Sequence, residues 1–287
     1  MTLNCVEQCP IPAVKTVVVP SANPDAGYKY SRFGLLTLTD GSSGFFYRLL
    51  DSGSATFDDV QSLSTHPVKE GSSLPDSTLR QWVSGYTSGQ ATAREIGMAS
   101  INAVSQHVFR QCGLDVTDAQ YSVERYSEQL PTHHKKVGMV GYFRPLVEHL
   151  QRSGIPLVVL ELDASLHRES PGLQVTNEID ALIGSDYLIC TASTLLNHSL
   201  DALLAQLAEH CFFELIGPTA GCLPDALFER GVNAVGGSCV VSLSDASSRI
   251  AAMQQWGDTV VKYVLTPDNY PGINTLLSRY QPLTTDH

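Results

Sequence analysis

The feature that most constrains this chain is a repeated unit in its second half. An apolar run of strand length, a loop carrying glycine or hydroxyl residues, and a helical stretch follow one another several times between residues 136 and 241. The runs are Lys136 to Val140, Pro156 to Glu161, Tyr187 to Thr191, Cys211 to Gly217 and Ala234 to Val241. Helical patterns lie between them at Pro145 to Arg152, Leu195 to Ala208 and Pro224 to Arg230. In the second of these, Leu196, Leu200, Leu203, Leu204 and Leu207 recur at helical spacing and make one apolar face. Strands separated by helices cannot be joined as hairpins. They require crossovers, which are right-handed and give a parallel sheet. The expectation is an α/β fold, a Rossmann-like three-layer parallel-sheet domain.

The first half has a different rhythm. Val14 to Val19, Phe33 to Thr39 and Gly44 to Leu50 read as strands, the last two joined as a hairpin across Asp40-Gly41-Ser42-Ser43. Asp51 to Ser77 is polar and serine-rich and reads as loop. Ala91 to Cys112 reads as one long helix with Gly113 as its stop. Strands followed by a helix suggest a smaller α+β domain. The polar run Gln129 to Lys136, with His133 and His134, reads as a linker, and places the boundary between domains of 1–132 and 133–287.

Charge and composition exclude several functions. The chain has 287 residues, 43% hydrophobic and 16% charged, with a formal net charge of −11. An acidic surface disfavours nucleic acid and anionic membranes, both of which select basic faces. There is no apolar run of about 18 residues, so no membrane span is expected. Met1 to Cys5 shows no basic region followed by an apolar core, so no signal peptide is read. Seven cysteines without a framework fit reduced thiols in a cytoplasm.

In an open parallel sheet, ligands sit outside the carboxyl ends of the strands. That rule selects four loops. The first follows Val137-Gly138-Met139-Val140: Gly141 permits close approach of backbone to ligand, Tyr142 and Arg144 flank it, and Pro145 opens a helix whose free N–H groups favour an anion. This falls short of a full GxGxxG fingerprint. The second, Glu161 to Ala164, begins about 20 residues on, where dinucleotide folds place a ribose-binding carboxylate; the plainer reading of Glu161 is a solvated strand end. The third, Thr191-Ala192-Ser193-Thr194 with Asn197 beyond it, offers hydroxyl ligands or a helix N-cap. The fourth is Gly217-Pro218-Thr219-Ala220-Gly221-Cys222, two glycines, a hydroxyl and a thiol before a proline-started helix. Cys190 and Cys222 both fall at this edge and His198 lies close by in sequence, so these three are the candidate metal ligands. Cys222 near a helix N-terminus would have a lowered pKa. Cys211 and Cys239 read as small core residues, and Cys5 and Cys9 as part of a terminal tail. No nucleophile elbow, P-loop, HExxH or CxxC is present.

Val137 to Phe143, Thr191 to Asn197, Gly217-Pro218-Thr219 and Leu227-Phe228-Glu229-Arg230-Gly231-Val232 resemble the bacterial and archaeal heavy-metal chelation domain family, DUF364. Arg94 to Ala103 resembles the DUF4213 domain that precedes it. The resemblance runs from about residue 14 to 265. It implies an enolase N-terminal-like α+β domain on a Rossmann-like domain; a ligand cleft between the two, with Asn102 on the long helix facing it, is a further expectation of ours, and core packing of Ala99 and Ala103 explains the same helix. It also implies binding of a metal ion or metal complex in metal homeostasis or metallocofactor assembly, with a divalent transition metal as the cofactor to test. The alternative is an enzyme using a nucleotide-type cofactor, NAD or S-adenosylmethionine. The partner expected is a small molecule or metal ion, with a homodimer as the assembly to test. Arg144 and Cys222 are expected to face one crevice.

Overall fold

The computed structural model describes residues 9–20, 32–48, 76–123 and 136–280, together with positions 2, 126 and 130. Residues 51–75, the linker histidines His133 and His134, and Cys5 lie outside the described residues.

Three strands, β1 (Val14–Val18), β2 (Phe33–Leu38) and β3 (Ser43–Tyr47), form an antiparallel sheet in that order. Side chains alternate across it. Leu36, Leu38 and Phe46 face the long helix α2 (Ala91–Gln111), against Ile96, Ala99 and Ala103. Leu35 and Phe45 face the other way, against Ala246 and Ile250 of α6 (Leu243–Ala251) and Trp256, whose ring stacks on Phe45 at 4.7 Å. The small sheet is therefore enclosed by elements from both halves of the chain. Helix α1 (Asp76–Gly85) packs on α2 through Leu79 and Trp82, so the polar stretch expected as loop to Ser77 gives way to helix at Asp76.

Helix α2 is buried on nearly all sides, from Ala93 to Phe109. A helix surrounded by small and apolar residues belongs inside a core. Its serines satisfy themselves within the helix, Ser100 Oγ donating to Ile96 O and Ser105 Oγ to Ile101 O. It ends at Gly113 (φ +70°), where Leu114 N–H closes back on Phe109 O at 2.8 Å.

The second sheet has eight strands: β4 (Val137–Val140), β5 (Leu157–Leu160), β6 (Arg168–Ser170), β7 (Leu173–Thr176), β8 (Tyr187–Thr191), β9 (Phe212–Ile216), β10 (Ala234–Val240) and β11 (Val260–Leu265). Their order is β11-β10-β9-β8-β4-β5-β7-β6. The six inner strands are parallel, and β6 and β11 run antiparallel at the edges. Strand β4 is buried at all four positions, as a strand covered on both faces must be. Val137, Met139 and Ile189 join Leu146, Val147 and Leu150 of α3 (Arg144–Arg152) on one face. Leu188, Cys190, Phe213 and Leu215 join Leu200 and Leu203 of α4 (Leu200–Gln206) on the other. The chain is thus a mixed α/β protein with a large, mostly parallel sheet. Strand order changes direction between β4 and β8, where crevices form.

Three features differ from the sequence expectation. The leucine-faced helix is not continuous from Leu195. A 3-10 turn (Ala192–Leu195) comes first, and the chain is redirected at Asn197–Ser199 before α4 begins. Asn197 Oδ1 accepts from Ser199 N (3.1 Å) and Oγ (2.6 Å), a local bond that competes with the helix, and His198 takes φ +60°. The helix after Pro224 is one turn, α5 (Asp225–Phe228). The β6–β7 hairpin and β11 were not foreseen; β6 is exposed throughout, whereas β11 is an apolar run that the alternating reading, which ends at Val241, left out. A final helix, α7 (Ile273–Ser278), buries Leu276 in the α2 core. Among the described residues no helix is long and apolar enough to cross a membrane.

Candidate functional site

The loops after β4, β5 and β8 meet at the carboxyl edge. Gly141 has φ +84°, a conformation side-chain-bearing residues rarely adopt, and its N–H donates to Leu160 O at 2.9 Å. A Cβ there would sit 3.2 Å from Thr191 Cβ, so the turn lies directly on the β8 loop. Glu161 ties the edge together. Its Oε2 accepts from Tyr142 N–H at 2.9 Å and its Oε1 from Asp163 N–H at 3.0 Å. The carboxylate expected to present itself to a ribose instead holds two loops by their backbones.

Tyr142 is half-buried, and its phenol accepts a hydrogen bond from Arg168, whose guanidinium lies over the ring at 5.2 Å from its centroid. His167 Nε2 is 2.8 Å from Glu161 O, so that nitrogen carries the proton and donates. Asp163 turns its Oδ1 to Ser165 N and Oγ. These bonds, with the charges of His167 and Arg32, hold its carboxyl below the usual range. Arg32 comes from the first half, at the entry to β2, and its guanidinium donates to Tyr47 Oη at 2.9 Å. Tyr47 in turn abuts the apolar cluster that contains Val140, Ala192 and Leu195. Asp163 lies in the second of the loops selected from sequence, which runs from Glu161 to Ala164, whereas Arg32, Tyr47, His167 and Arg168 were not among the sequence candidates. Arg168 lies on a short exposed strand and Arg32 is more than 100 residues away in sequence, so no local pattern marks them.

Arg144 is exposed as the first residue of α3, with Pro145 behind it, and no ion pair of its side chain occurs among the described residues. In the β8 loop, Thr191 Oγ1 lies 3.1 Å from Ser193 Oγ and accepts from Ser193 N–H. Thr191 therefore caps the 3-10 turn, and with Ser193 it stays partly accessible. Thr194 does not. It is buried, donating to Thr191 O at 2.7 Å. Asn197 and His198 are exposed beyond the turn.

The β9 loop is sealed. Helix α2 lies across it and supplies the polar partners its backbone needs. Asn102 Nδ2 donates to Thr219 O and to Phe45 O, each at 3.0 Å. Gln106 Nε2 donates to Gly221 O (3.0 Å) and Tyr263 Oη (2.8 Å), and Ser105 Oγ accepts from Leu223 N–H (3.0 Å). Tyr86 Oη and Arg94 bond the carbonyls of Leu195 and Leu196 at 2.8 and 2.7 Å. Thr219 and Cys222 are buried; Gly217 and Pro218, at the loop's start, remain half-exposed beside Ala192.

The metal set read from sequence does not assemble. Among the described residues no three His, Cys, Asp or Glu side chains are placed to hold a metal ion. Burial pushes the Cys190 thiol up to about 12, against a small opposing effect of its contact with Thr194. Burial pushes Cys222 up to about 12 as well, outweighing its own backbone N–H. The lowered thiol expected at Cys222 is thus reversed. The helix after it is a single turn that cannot offset burial in an apolar cluster. Arg144 and Cys222 do not share a crevice, since one is exposed on α3 and the other enclosed under α2.

A groove of about 210 Å³ lies at the opposite edge, lined by Lys136, Pro156, Glu169 and Gln174. It sits at the amino ends of β4 and β5, away from these converging loops, and α/β sheets place ligands at the other end.

The carboxyl edge thus carries a glycine turn, a bridging carboxylate and hydroxyls where the strand order reverses, the position at which open α/β sheets generally hold ligands. Residues 128–258 match the profile of the DUF364 family, whose description reads "Putative heavy-metal chelation". An uncharacterised protein of Methanocaldococcus jannaschii is 27% identical over 169 residues, which span 58% of this chain and 62% of that protein. Two solved DUF364-family proteins of unknown function share the fold. The one from Pyrococcus horikoshii has a TM-score of 0.63 at 20% identity, covering 93% of this chain and 100% of its own. The one from Desulfitobacterium hafniense DCB-2 has 0.64 at 19%, covering 92% and 97%.

Proposed function

We propose that this chain binds a small metal complex at the carboxyl edge between β4 and β8, in metal homeostasis or metallocofactor assembly within a cytoplasm. The observation that carries the reading is the contact of the Gly141 turn with Thr191, braced by Glu161 and bordered by Arg144. The family description supplies the metal. The donor set supports a complex over a bare ion. Cys190 and Cys222 are buried thiols of high pKa and His198 is exposed elsewhere, so the ion's ligands would come from the bound molecule. Backbone N–H groups, hydroxyls and guanidinium would then grip the molecule's outer oxygens. The six described cysteines are free, which suits a reducing compartment. We further read the large sheet as a Rossmann-like domain, and residues 1–132 as the DUF4213-like partner that seals one side of it.

The test is thermal stability and equilibrium dialysis of the chain with nickel(II), cobalt(II) and zinc(II), each free and as a citrate complex. A ligand that binds only the native state raises stability with concentration. Chelates should stabilise and free ions should not, and Arg144→Ala should weaken chelate binding by about tenfold while changing stability by less than about 0.5 kcal/mol. Uptake of bare ions, or no response to any form, sinks the reading.

A second reading, an enzyme with an NAD- or S-adenosylmethionine-type cofactor, is supported by the reversal of strand order beside Gly141 and by Glu161 at the end of β5. Stabilisation by either nucleotide that vanishes in Glu161→Gln would favour it.

A further inference from the structure

We infer that Cys9 and Cys112 form a buried two-thiolate site for a soft, closed-shell monovalent cation, copper(I) being the type case. The site is separate from the carboxyl edge and from the cysteines weighed there.

From sequence Cys9 reads as part of a tail, but the fold encloses it. Cys9 is 5% exposed and Cys112 is 3% exposed, and both thiols are free. Cys112 caps α2. Its N–H donates to Val108 O at 2.9 Å, and Gly113 (φ +70°) turns the chain directly after it. Its sulfur therefore stands at the end of a rigid element. Cys9 is fixed by the residues that follow it. Pro10 O accepts from Tyr280 Oη at 3.3 Å, and Ala13 O accepts from Thr39 N–H at 2.8 Å.

Tyr280 joins the two cysteines. It packs, with Ile11, against the apolar cluster that contains Cys112 and Leu276, and it bonds the residue next to Cys9. Electrostatics agree with this placement. Burial pushes the Tyr280 phenol up, and charge on Cys9 or Cys112 adds to the effect. Burial likewise pushes the Cys112 thiol up to about 11, with Cys9 adding to it and the charge of Arg279 opposing it. The two sulfurs and the phenol thus lie within one another's electrostatic reach.

The donor set decides which ion suits the pair. Among the described residues no three His, Cys, Asp or Glu side chains are placed to hold one ion, so the four ligands of a structural zinc site do not assemble. Two thiols remain. Thiolate is a soft donor that selects copper(I), and a closed-shell monovalent ion accepts two donors placed opposite each other. Binding exchanges two S–H protons for one cation, giving a singly negative bis-thiolate and releasing both protons to solvent. Arg279, whose charge already acts on the Cys112 sulfur, offsets the remaining negative charge. Nickel(II), cobalt(II) and zinc(II) seek more donors than this pair supplies, so the site and the carboxyl-edge reading stand or fall separately.

The test is anaerobic titration of the reduced full chain with copper(I), in competition with the chromogenic chelator bicinchoninate. Wild type should withdraw a single copper(I) per chain, and copper K-edge absorption should show two sulfur neighbours. Cys9→Ser and Cys112→Ser should each weaken binding by about a hundredfold or more, since a lost ligand costs at least as much as a lost supporting contact. Cys239→Ser and Cys5→Ser should change nothing. Thermal melts of each variant separate lost binding from lost fold, and the absorption spectrum of wild type reads the site without any substitution. Binding that survives Cys9→Ser in a folded chain overturns the assignment. So does loss of binding in Cys5→Ser, a third sulfur or a nitrogen neighbour in the spectrum, displacement of the copper by equimolar zinc(II), or no copper uptake at all.

Discussion

The β4 and β9 loops begin from the same local recipe, a buried strand, a glycine of positive φ and a proline soon after, yet they end differently. At β4, Gly141 (φ +84°) leads to a nine-residue helix whose first residue, Arg144, meets solvent. At β9, Gly217 (φ +147°) leads to a 3-10 turn and a buried thiol under α2. The deciding element lies in neither loop. Asn102, Ser105 and Gln106 of α2 satisfy the β9 loop's backbone and so close it. The β9 turn is thereby enclosed, whereas the β4 turn, its Gly141 and Tyr142 N–H groups held by Leu160 and Glu161, leads to Phe143 and Arg144, which stay accessible.

The sharpest way to break that comparison is thiol chemistry. If the β9 side is sealed, Cys190 and Cys222 should alkylate at least about a thousandfold more slowly than a free thiol at pH 8, reacting only through opening of the fold. Peptide mapping after a timed iodoacetamide pulse measures it. Fast labelling of Cys222 would restore it as a site residue.

Next in size is Asn102→Leu. Two buried carbonyls, those of Phe45 and Thr219, lose their donor, at a cost of about 3 kcal/mol. Urea unfolding checks it, and Gln106→Leu should cost a similar amount because the Gly221 carbonyl and Tyr263 Oη both lose their donor. The two glycines sharpen the contrast further. Gly141→Val and Gly217→Val should each destabilise by about 2 kcal/mol from backbone strain, with added crowding against Thr191 and Ala192. Only the first should abolish ligand binding.

The smallest effect concerns how the seal is anchored. Asp40, in the β2–β3 turn, receives hydrogen bonds from Ser42 N–H and from Arg110, and shares one at 2.7 Å with His107 Nδ1, the latter two residues being on α2. Burial alone would raise its carboxyl, but the bonds from His107 and Ser42, with the charge of Arg110, outweigh it and hold it below the ordinary value. A depressed folded pKa gives stability that is present above the unfolded value, about 3.9, and is lost as pH falls through the folded one. Asp40→Asn should therefore cost about 1 kcal/mol at pH 7 and flatten the stability decline below about pH 4. An unchanged acid limb would show that another carboxylate governs it.

Much of the framework was readable in the sequence. The β8 strand was expected at Tyr187 to Thr191 and occupies Tyr187–Thr191; the long helix was expected at Ala91 to Cys112 and runs Ala91–Gln111. These elements announce themselves through apolar runs, helical spacing and a glycine stop. The β6–β7 hairpin did not, because Arg168–Ser170 is exposed throughout and its pattern matches a loop. Leu195 to Ala208 was misread as one helix because leucine spacing is blind to Asn197, whose side chain breaks it. The carboxyl-end rule selected four loops, of which α2 encloses the one at Gly217, something the rule by itself does not reveal. It missed Arg32, Tyr47 and Arg168, which reach the edge only through folding.

What the sequence determined alone was local: where strands run, where a turn needs glycine, that the second half alternates and so builds a mostly parallel sheet. Dihedral preference and apolar period act over a few residues, and each segment carries its own. Which loop is open and which thiols are inert was decided by tertiary structure. The bond between Asn102 and Thr219 joins positions 117 apart, and the burial that lifts Cys222 comes from a helix in the other half of the chain. Desolvation depends on what arrives from elsewhere, and no short window of sequence contains it.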